Sequence, residues 1–469
     1  MTEVLVIGSG PAGLAAACAA RALGRRVVLL DASDYVGGQY WRHLPPERPA
    51  RREAVLHHGW SRFQAMSQAL ERDPLCEIVT SAHVWAIDAG RVHVMVGEAD
   101  GAGREARTYA AAAVVFATGA FDRALPIPGW DLPGVFTAGG AQALAKGERV
   151  AVGQRVVVAG SGPFLLPVAS SLVQAGSTVV GVYEASHLAH LARQWTARPW
   201  QLLATPAKLL ELAHYASVHV KNRIPYATGR AVTAIHGGQR VESVTISAID
   251  ETWRPIPGGD VVVAADAVCL GHGFTPRVEL PIAAGCRLDA RRFVQVDEHQ
   301  RTSVAAFYAA GEITGIGGVD LSLSEGTIAG HMAAGGHLED RALRDARARR
   351  DALRSFAERL ERAHRIGENW TDWLSDETIV CRCEEVSVGR LRSVAETSRS
   401  SGLRSLKLQS RAGLGACQGR MCGRSVETIL AAAAPGGHLI DESTTDRRPI
   451  ATPIRLAELA FGNDKSVEK

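Results

Sequence analysis

The chain has 469 residues, which is enough for roughly three domains of ordinary size. Its net charge is only +3 and no dense basic run is present, so the composition does not favour nucleic-acid binding. No run approaches the ~18 apolar residues of a membrane span, and no leader pattern precedes the first apolar run. We therefore expect a cytoplasmic protein, with a peripheral position at the inner membrane, through a complex, left open.

The first segment, residues 4–31, has the order of a dinucleotide-binding unit: apolar run, glycine-rich turn, small-residue helix, apolar run and acid. Gly8 allows a tight turn, Gly10 lets the backbone approach a pyrophosphate, and Gly13 lets the helix pack closely on the strand. The start of the helix offers N–H groups to phosphate, and Asp31 can accept hydrogen bonds from ribose hydroxyls. The predicted contacts of this first site are Gly8, Gly10, Pro11, Ala12, Gly13 and Asp31.

Three later stretches resemble motifs of flavoproteins. Residues 37–42 resemble the glycine pair of flavoprotein reductases and monooxygenases, and residues 117–119 resemble the motif at which two-dinucleotide flavoproteins return to the flavin domain. Gly311 and Glu312 resemble the late flavin motif, in which an acid, usually Asp, hydrogen-bonds the ribityl chain. The resemblance implies FAD as cofactor, with further contacts at Gly38, Gln39, Arg42, Thr118, Gly119, Gly311 and Glu312.

A second unit, residues 155–184, repeats the pattern with Gly160, Gly162 and a terminal acid, Glu184. Duplication of this unit predicts the architecture of a two-nucleotide reductase. Leu165 replaces the third glycine, which places ordinary NAD binding in doubt. Glu184 would favour a free 2′-hydroxyl, so the candidates for this site are NAD, another adenine nucleotide such as ATP or AMP, or a retained fold with a weak site.

The remaining segments carry less information. Residues 78–118 alternate as in a β-meander, and residues 187–225 read as one or two amphipathic helices that are either core or a docking surface. We expect an α/β protein with two Rossmann-like domains and a small, mainly helical C-terminal iron–sulfur domain. The expected boundaries are 1–125 and 266–335 for the FAD domain, 126–265 for the second nucleotide domain, 336–375 for a helical linker, 376–435 for the cluster domain and 436–469 for a tail.

The eight cysteines are unevenly distributed. Four are isolated in the sequence and are interpreted as buried structural thiols (Cys18, Cys76, Cys269 and Cys286). No redox pair lies between Cys18 and Cys76, so thiol–disulfide chemistry on a flavin is not expected. The other four form a C-x-C and a C-x4-C motif (Cys381, Cys383, Cys417 and Cys422). Four thiolates in two short loops can hold a 2Fe–2S cluster, with N–H donors supplied by the helical stretches between them. A zinc site and free thiols remain the alternatives, although zinc sites favour wider spacings than C-x-C.

The stretch around Cys381–Cys383 and residues 408–423 resembles the cluster domain of bacterioferritin-associated ferredoxin, as fused to flavoprotein subunits. With two Rossmann units preceding this segment, the chain resembles the alpha subunit of opine oxidases, hydrogen cyanide synthase and proline or hydroxyproline dehydrogenases. The tail at 448–460 is similar to theirs. The resemblance implies a D-amino-acid-oxidase-like FAD beta subunit that oxidises the substrate, a small ferredoxin-like subunit, and a respiratory or ferredoxin-type electron acceptor.

No acid/base or nucleophile constellation is found, and the sixteen histidines are scattered, so no catalytic residue is predicted. The principal hypothesis is an electron-transfer subunit of a hetero-oligomeric dehydrogenase acting on the C–N bond of an opine, amino acid or imino acid. The alternative is a self-sufficient NADH-dependent reductase that passes electrons to a ferredoxin-like acceptor. A redox-inactive scaffold is a third, weaker hypothesis.

Overall fold

The computed structural model describes residues 2–48, 53–88, 90–197, 206–398, 403–433 and 450–461. The chain forms two compact units. Unit 1 consists of Met1–Ala120, Pro276–Ala357 and Asp446–Lys469, and unit 2 of Phe121–Thr275 and Glu358–Thr445. The chain therefore leaves unit 1 and returns to it twice.

The strands of the described residues are short apart from one of twelve residues. In chain order they are β1 Thr2–Ile7, β2 Val27–Leu30, β3 Cys76–Val79, β4 Ala82–Asp88, β5 Arg91–Val96, β6 Glu105–Phe116, β7 Ala120–Asp122, β8 Val135–Thr137, β9 Arg155–Gly160, β10 Thr178–Glu184, β11 Tyr226–Thr228, β12 Arg230–His236, β13 Ser243–Ala248, β14 Val261–Ala264, β15 Ala267–Gly271, β16 Phe274–Pro276, β17 Phe307–Ala309, β18 Ile379–Cys381 and β19 Val386–Ser387.

The helices connect the strands or follow the last sheet. They are α1 Pro11–Ala22, α2 Glu53–Leu56, α3 Trp60–Glu71, α4 Ala138–Ala143, α5 Leu165–Gln174, α6 Leu188–Thr196, α7 Pro206–Lys221, α8 Glu279–Ala283, α9 Gly318–Ala333, α10 Arg344–Ala363, α11 Val388–Ser398, α12 Leu403–Ser410, α13 Gly423–Ala433 and α14 Leu456–Phe461. A π-helical turn spans Leu144–Glu148, and 3₁₀ turns span Arg341–Leu343 and Trp370–Trp373.

Unit 1 is built on a sheet with the strand order β3-β2-β1-β6-β5-β4, and β17 also pairs with β6. The β3-β2-β1-β6 pairs and β17 are parallel, whereas β4, β5 and β6 form an antiparallel meander, as the sequence predicts for residues 78–118. Along β1, Val4 and Val6 enter one core, and Leu5 and Ile7 enter the core on the opposite face. Burial on both faces explains why this strand is apolar throughout.

Helices α1 and α9 cross in unit 1 with their backbones in close contact. A Cβ at Gly326 would lie 2.1 Å from the carbonyl oxygen of Ala12, and one at Gly330 would lie 2.0 Å from that of Ala16. The side chains at the crossing must therefore be absent or small. This crossing fixes α9 against the helix that begins at the first glycine-rich turn.

Unit 2 contains a five-stranded parallel sheet with the order β11-β10-β9-β15-β8 and an antiparallel sheet β12-β13-β14. Two-stranded sheets pair β7 with β16 and β18 with β19. The segment predicted as one or two amphipathic helices, 187–225, contains α6 and α7, with residues 198–205 outside the described part.

The C-terminal helices of unit 2 share one hydrophobic core with its parallel sheet. That core joins Val157 and Val268 of the sheet to Leu391 of α11 and Ile429 of α13. Trp253 and Trp373 stack with ring centres 5.7 Å apart, and the Trp373 indole N–H donates to the Trp253 carbonyl at 2.8 Å. The cysteine-bearing segment is thus packed on the second nucleotide fold.

The described part of the tail lies on the meander of unit 1. The Ala451 N–H donates to the carbonyl of Trp85 at 2.8 Å, and Arg104 forms a bidentate ion pair with Glu458. Residues 434–449 and 462–469, which include part of the predicted tail, lie outside the described residues.

Candidate functional site: two glycine-rich turns and a cysteine cluster

The first glycine-rich turn joins β1 to α1 and has no room for side chains at two of its glycines. Gly8 has a φ of +105°, and a Cβ there would lie 2.3 Å from the carbonyl oxygen of Ala117. A Cβ at Gly13 would lie 1.7 Å from the carbonyl oxygen of Gly8. At Gly10 the nearest atom to such a Cβ is 4.0 Å away, so the backbone there is left open to a ligand, as the motif requires.

Asp31 follows β2 directly and faces this turn. One carboxylate oxygen accepts the backbone N–H and the hydroxyl of Ser9, both at 2.6 Å, and the other accepts the N–H of Ser33 at 2.8 Å. The residue is 9% exposed. The acid therefore lies beside the first glycine-rich turn and retains some solvent access. Pro11 and Ala12 form the first turn of α1.

The second glycine pair covers the first turn. The Gly37 N–H donates to the carbonyl of Ser9 at 2.9 Å, and a Cβ at Gly38 would lie 2.8 Å from the Cα of Gly10. Trp41 is buried nearby, and its indole N–H donates to the carbonyl of His58 at 3.0 Å. In the same segment the predicted contact residue Gln39 is exposed and Arg42 is half-buried.

The turn after β6 connects to the returning chain within unit 1. The Thr118 hydroxyl donates to the carbonyl of Arg277 at 2.7 Å, and the Arg277 N–H donates to the carbonyl of Gly119 at 3.0 Å. Gly119 has a φ of +74°, which favours glycine. These contacts bring the predicted contact pair beside the start of the second segment of unit 1, Pro276–Ala357.

Glu312 is turned toward the start of α9. Its carboxylate accepts the N–H of Gly318 at 2.9 Å. Burial, and the neighbouring charge of Glu325, raise its pKa to about 7 against the lowering effect of the Gly317 and Gly318 amides and the Ser322 hydroxyl. At neutral pH the side chain can therefore both hold and release a proton.

Glu325 is a buried site residue that the sequence did not single out. It is 1% exposed and accepts hydrogen bonds from the Gly311 N–H at 3.0 Å and from the Thr314 hydroxyl. Arg354 of α10 donates to it from Nε at 2.9 Å and from Nη2 at 2.8 Å. A glutamate inside a small-residue, apolar helix was the available signal, because such a charge is buried only when it is paired.

The second glycine-rich turn, between β9 and α5, differs in shape from the first. A Cβ at Gly160 would lie 1.7 Å from the carbonyl oxygen of Gly271, so this glycine is required. Helix α5 begins only at Leu165, the position of the missing third glycine, and that side chain is buried in the core of unit 2. Gly162 has a φ of +115°.

Glu184 ends β10 with no exposed surface. It accepts the N–H of Gly162 at 2.8 Å and the N–H of Ser186 at 2.9 Å, and it lies 3.4 Å from Nδ1 of His364. Burial opposes its charge, but the imidazole of His364 and the two amides lower its pKa below the ordinary value. His364, which sequence reasoning did not identify, lies beyond the end of α10 and carries no local signal for this contact.

The four C-terminal cysteines come together in unit 2. Side-chain hydrogen bonds join Cys422 to Cys381 and Cys417, and join Cys417 to Cys383. The hydrogen bond from Cys422, with backbone amides, lowers the pKa of Cys417 to about 4 and that of Cys381 to about 6. The pKa of Cys422, which donates to both, is raised.

Backbone amides around these thiols come from the loops. The amides of Gly413 and Glu384 point at Cys381, and those of Gly419 and Met421 point at Cys417. The amide donors to these two thiols lie in turns, and the expectation that the helical stretches supply donors to the sulfurs of a cluster stays a prediction. Within the described ranges, no group of three or more His, Cys, Asp or Glu side chains is arranged to hold a metal ion.

Two further properties bear on the class of protein. Among the residues described, no helix combines the length and the apolarity that a membrane crossing needs. Cys269 and Cys286, read as structural thiols, are buried, whereas Cys18 and Cys76 are half-buried; burial raises the pKa of Cys18 to about 11.

Comparison with known proteins agrees with this geometry. Residues 2–335 match the family described as pyridine nucleotide-disulphide oxidoreductase. An opine oxidase subunit of Agrobacterium tumefaciens (strain Ach5) is 34% identical, over 98% of this chain and 91% of that protein. Hydrogen cyanide synthase subunit HcnB of Pseudomonas aeruginosa is 31% identical, over 89% of this chain and 90% of that one.

Solved structures show the same fold. L-proline dehydrogenase from P. horikoshii superposes with a TM-score of 0.66 at 20% identity, covering 98% of this chain and 79% of that chain. Thioredoxin reductase from T. acidophilum gives a TM-score of 0.51 at 21% identity, covering 71% of this chain and 97% of that one. Family membership implies FAD as cofactor. The chain belongs to the pyridine nucleotide-disulphide oxidoreductase family and is an oxidoreductase.

Proposed function

We propose that the chain is the FAD- and 2Fe–2S-containing electron-transfer subunit of a hetero-oligomeric dehydrogenase or oxidase that acts on the C–N bond of an opine, amino acid or imino acid. The observation that carries the proposal is the cysteine cluster, in which Cys381, Cys383, Cys417 and Cys422 are linked by thiol hydrogen bonds in a chain of this oxidoreductase family. A flavin exchanges electrons in pairs or singly, and a 2Fe–2S cluster carries one at a time.

The residue types of the cysteine cluster suit an iron–sulfur group, although in the described residues their side chains are not arranged around a metal ion. Thiolates are the usual ligands of such clusters, and N–H donors to the sulfurs are a recurrent second layer. Amide donors already point at Cys381 and Cys417. A Cβ at Gly415 would lie 2.2 Å from the Cβ of Cys383, so the two cysteine loops approach each other closely. The proposed cluster segment is 376–435.

The FAD would be held by the first glycine-rich turn. Gly10 leaves its backbone open, the start of α1 offers its N–H groups, and Asp31 lies where ribose hydroxyls are recognised. Glu312, beside the first turn of α9, can hold a proton near neutral pH. These residues bind and orient the cofactor, and none of them forms an acid/base pair for substrate chemistry.

The partners are proposed from the relatives. The matching opine oxidase and hydrogen cyanide synthase chains are named as subunits, which supports a partner chain here. We place substrate oxidation on a D-amino-acid-oxidase-like FAD beta subunit, with a small ferredoxin-like subunit and a respiratory or ferredoxin-type acceptor completing the route. The complex would be cytoplasmic, or peripheral to the inner membrane.

The first test is anaerobic purification of the chain with analysis of iron, acid-labile sulfide and FAD. We expect about two iron and two sulfide per chain and an electron paramagnetic resonance signal after dithionite reduction. Cys417→Ser should lose this signal and most of the iron, whereas the control Cys76→Ser, at a half-buried thiol in unit 1, should keep both. Stoichiometric zinc without sulfide would refute the cluster and support the zinc alternative.

A further inference from the structure

The acid of the second nucleotide fold is sealed inside unit 2. In a working fold of this type the carboxylate after the second strand faces the ribose of the ligand. Here Glu184 has no exposed surface and is held by Gly162, Ser186 and His364. The hydroxyl of Tyr226 also donates to it. A ribose could reach this carboxylate only by displacing one of these groups.

The group that covers Glu184 comes from far along the chain. We call residues 359–364, the end of α10 and the residue after it, the latch segment. The Ser161 hydroxyl, in the glycine-rich turn, donates to the carbonyl of His364 at 3.0 Å. Arg359 is 2% exposed and donates from Nη1 to the carbonyl of Trp195 in α6 at 2.6 Å. The latch segment is therefore fixed both to the turn and to the helix after β10.

The first fold has a different arrangement. Asp31 accepts its hydrogen bonds from Ser9 in the turn itself and from Ser33, two residues further on. These are local contacts, and the carboxylate keeps some exposure. A ribose hydroxyl can approach it without moving a distant segment.

We propose that the latch segment closes the second nucleotide fold, so that NAD(H) and adenine nucleotides such as ATP do not bind there. The residues of the second fold do not fit such a ligand while His364 lies against Glu184. If the proposed function is correct, this closure means that the chain receives its electrons from a partner chain and not from NADH. The self-sufficient NADH-dependent reductase is disfavoured for the same reason.

The test is calorimetric titration of the holoprotein with NADH and, separately, with ATP. We expect no saturable binding of either nucleotide up to about 1 mM in the native chain and, for the double variant Arg359→Ala/His364→Ala, a dissociation constant below about 0.1 mM for at least one. Arg365→Ala, next to the latch segment with its side chain 76% exposed, is the control and should behave as the native chain. Saturable binding to the native chain, or no gain in the folded double variant, would overturn the proposal.

A second measurement needs no variant. Carbodiimide coupling of an amine to accessible carboxylates, followed by peptide mass analysis, should leave Glu184 unlabelled while the exposed Glu251 is labelled. Equal labelling of the two would overturn the closure. Iron content, measured on the same preparation, is a separate readout: its absence would refute the proposed cluster but would leave both results on the second fold interpretable.

Discussion

The two glycine-rich turns begin with the same four residues, Gly-Ser-Gly-Pro, and then diverge. In the first, Gly13 lets α1 start at Pro11, immediately after the open backbone of Gly10. In the second, Leu165 takes the place of that glycine and α5 starts there, later in the motif. The glycine at the third position therefore accompanies a helix that starts directly after the open backbone, whereas the leucine accompanies a later helix start and is buried.

The acids that follow the two turns also differ, and again the one in the second fold is the more deeply buried. Asp31 is short and reaches only Ser9 and its own neighbour Ser33, so it stays at the rim of the first turn. Glu184 is one methylene longer, reaches Gly162, and is covered by His364. Matching motifs therefore do not imply matching ligand access, because access depends on what packs over the acid.

The largest expected effect comes from replacing Gly13 of the first turn with leucine, the residue at the same position of the second turn. Gly13→Leu would place a Cβ 1.7 Å from the carbonyl oxygen of Gly8. We expect a loss of about 3 kcal/mol or more in the free energy of unfolding, measured in urea, and loss of bound FAD, measured by its absorbance.

The matched change in the second turn is Leu165→Ala, which leaves a cavity in a core where the residue is 1% exposed. It should cost about 3 kcal/mol of unfolding free energy while the FAD content stays as in the native chain. FAD retained by Gly13→Leu would contradict the assignment of the first turn.

A smaller effect is expected from the acid at the start of α9. The pKa of Glu312 is raised to about 7, so the folded chain binds a proton that the unfolded chain releases above about pH 4.5. Stability should therefore fall as the pH rises from about 4.5 to 7, and Glu312→Gln should remove about 2 kcal/mol of that fall. Urea unfolding at pH 5 and at pH 7.5 measures it.

No such pH effect is expected from Glu184 in unit 2, because the imidazole of His364 and two backbone amides lower the pKa of this carboxyl against the effect of burial. Glu184→Gln should not reproduce the pH effect of Glu312→Gln between pH 5 and 7.5, since its pKa is lowered and lies below that window. A Glu312→Gln curve parallel to that of the native chain would show that Glu312 stays ionised throughout.

The smallest effect concerns Asp31, the acid of the first fold that we propose recognises the ribose. Asp31→Asn removes the charge that accepts two hydrogen bonds from Ser9. We expect about tenfold weaker FAD binding, close to 1.4 kcal/mol, with little change in unfolding. Asp34→Asn, an exposed acid bonded to the Ser81 hydroxyl, is the control and should bind FAD normally. Identical FAD affinity in both variants would argue against ribose recognition by Asp31.

Much of the architecture could be predicted because it depends on local patterns of apolar residues and glycines in the sequence. Apolar runs next to glycine turns predict parallel strands, and β1 and β9 both form such strands. The alternation in residues 78–118 predicts the meander. The C-x-C motif of Cys381 and Cys383 and the C-x4-C motif of Cys417 and Cys422 could be identified because each spans only a few residues of sequence.

Other features had no local signature. Arg354 and Glu325 form an ion pair between two helices. The apolar helix around Glu325 indicates a paired charge, but no local pattern identifies Arg354 as its partner. The C-terminal helices were expected to form a separate domain, whereas in the structure they share the core of unit 2. An amphipathic pattern shows that a helix has a buried face but does not identify the surface that covers it.

The sequence by itself determined the two nucleotide folds, the first glycine-rich turn and the two cysteine pairs, because these depend on residue spacing and on backbone conformations that only glycine adopts readily. The tertiary structure alone decided that His364 lies against Glu184, that Arg354 neutralises Glu325, and that four thiols from two loops meet. Such contacts join residues far apart in the chain, and their existence depends on how the whole chain packs, which spacing does not encode.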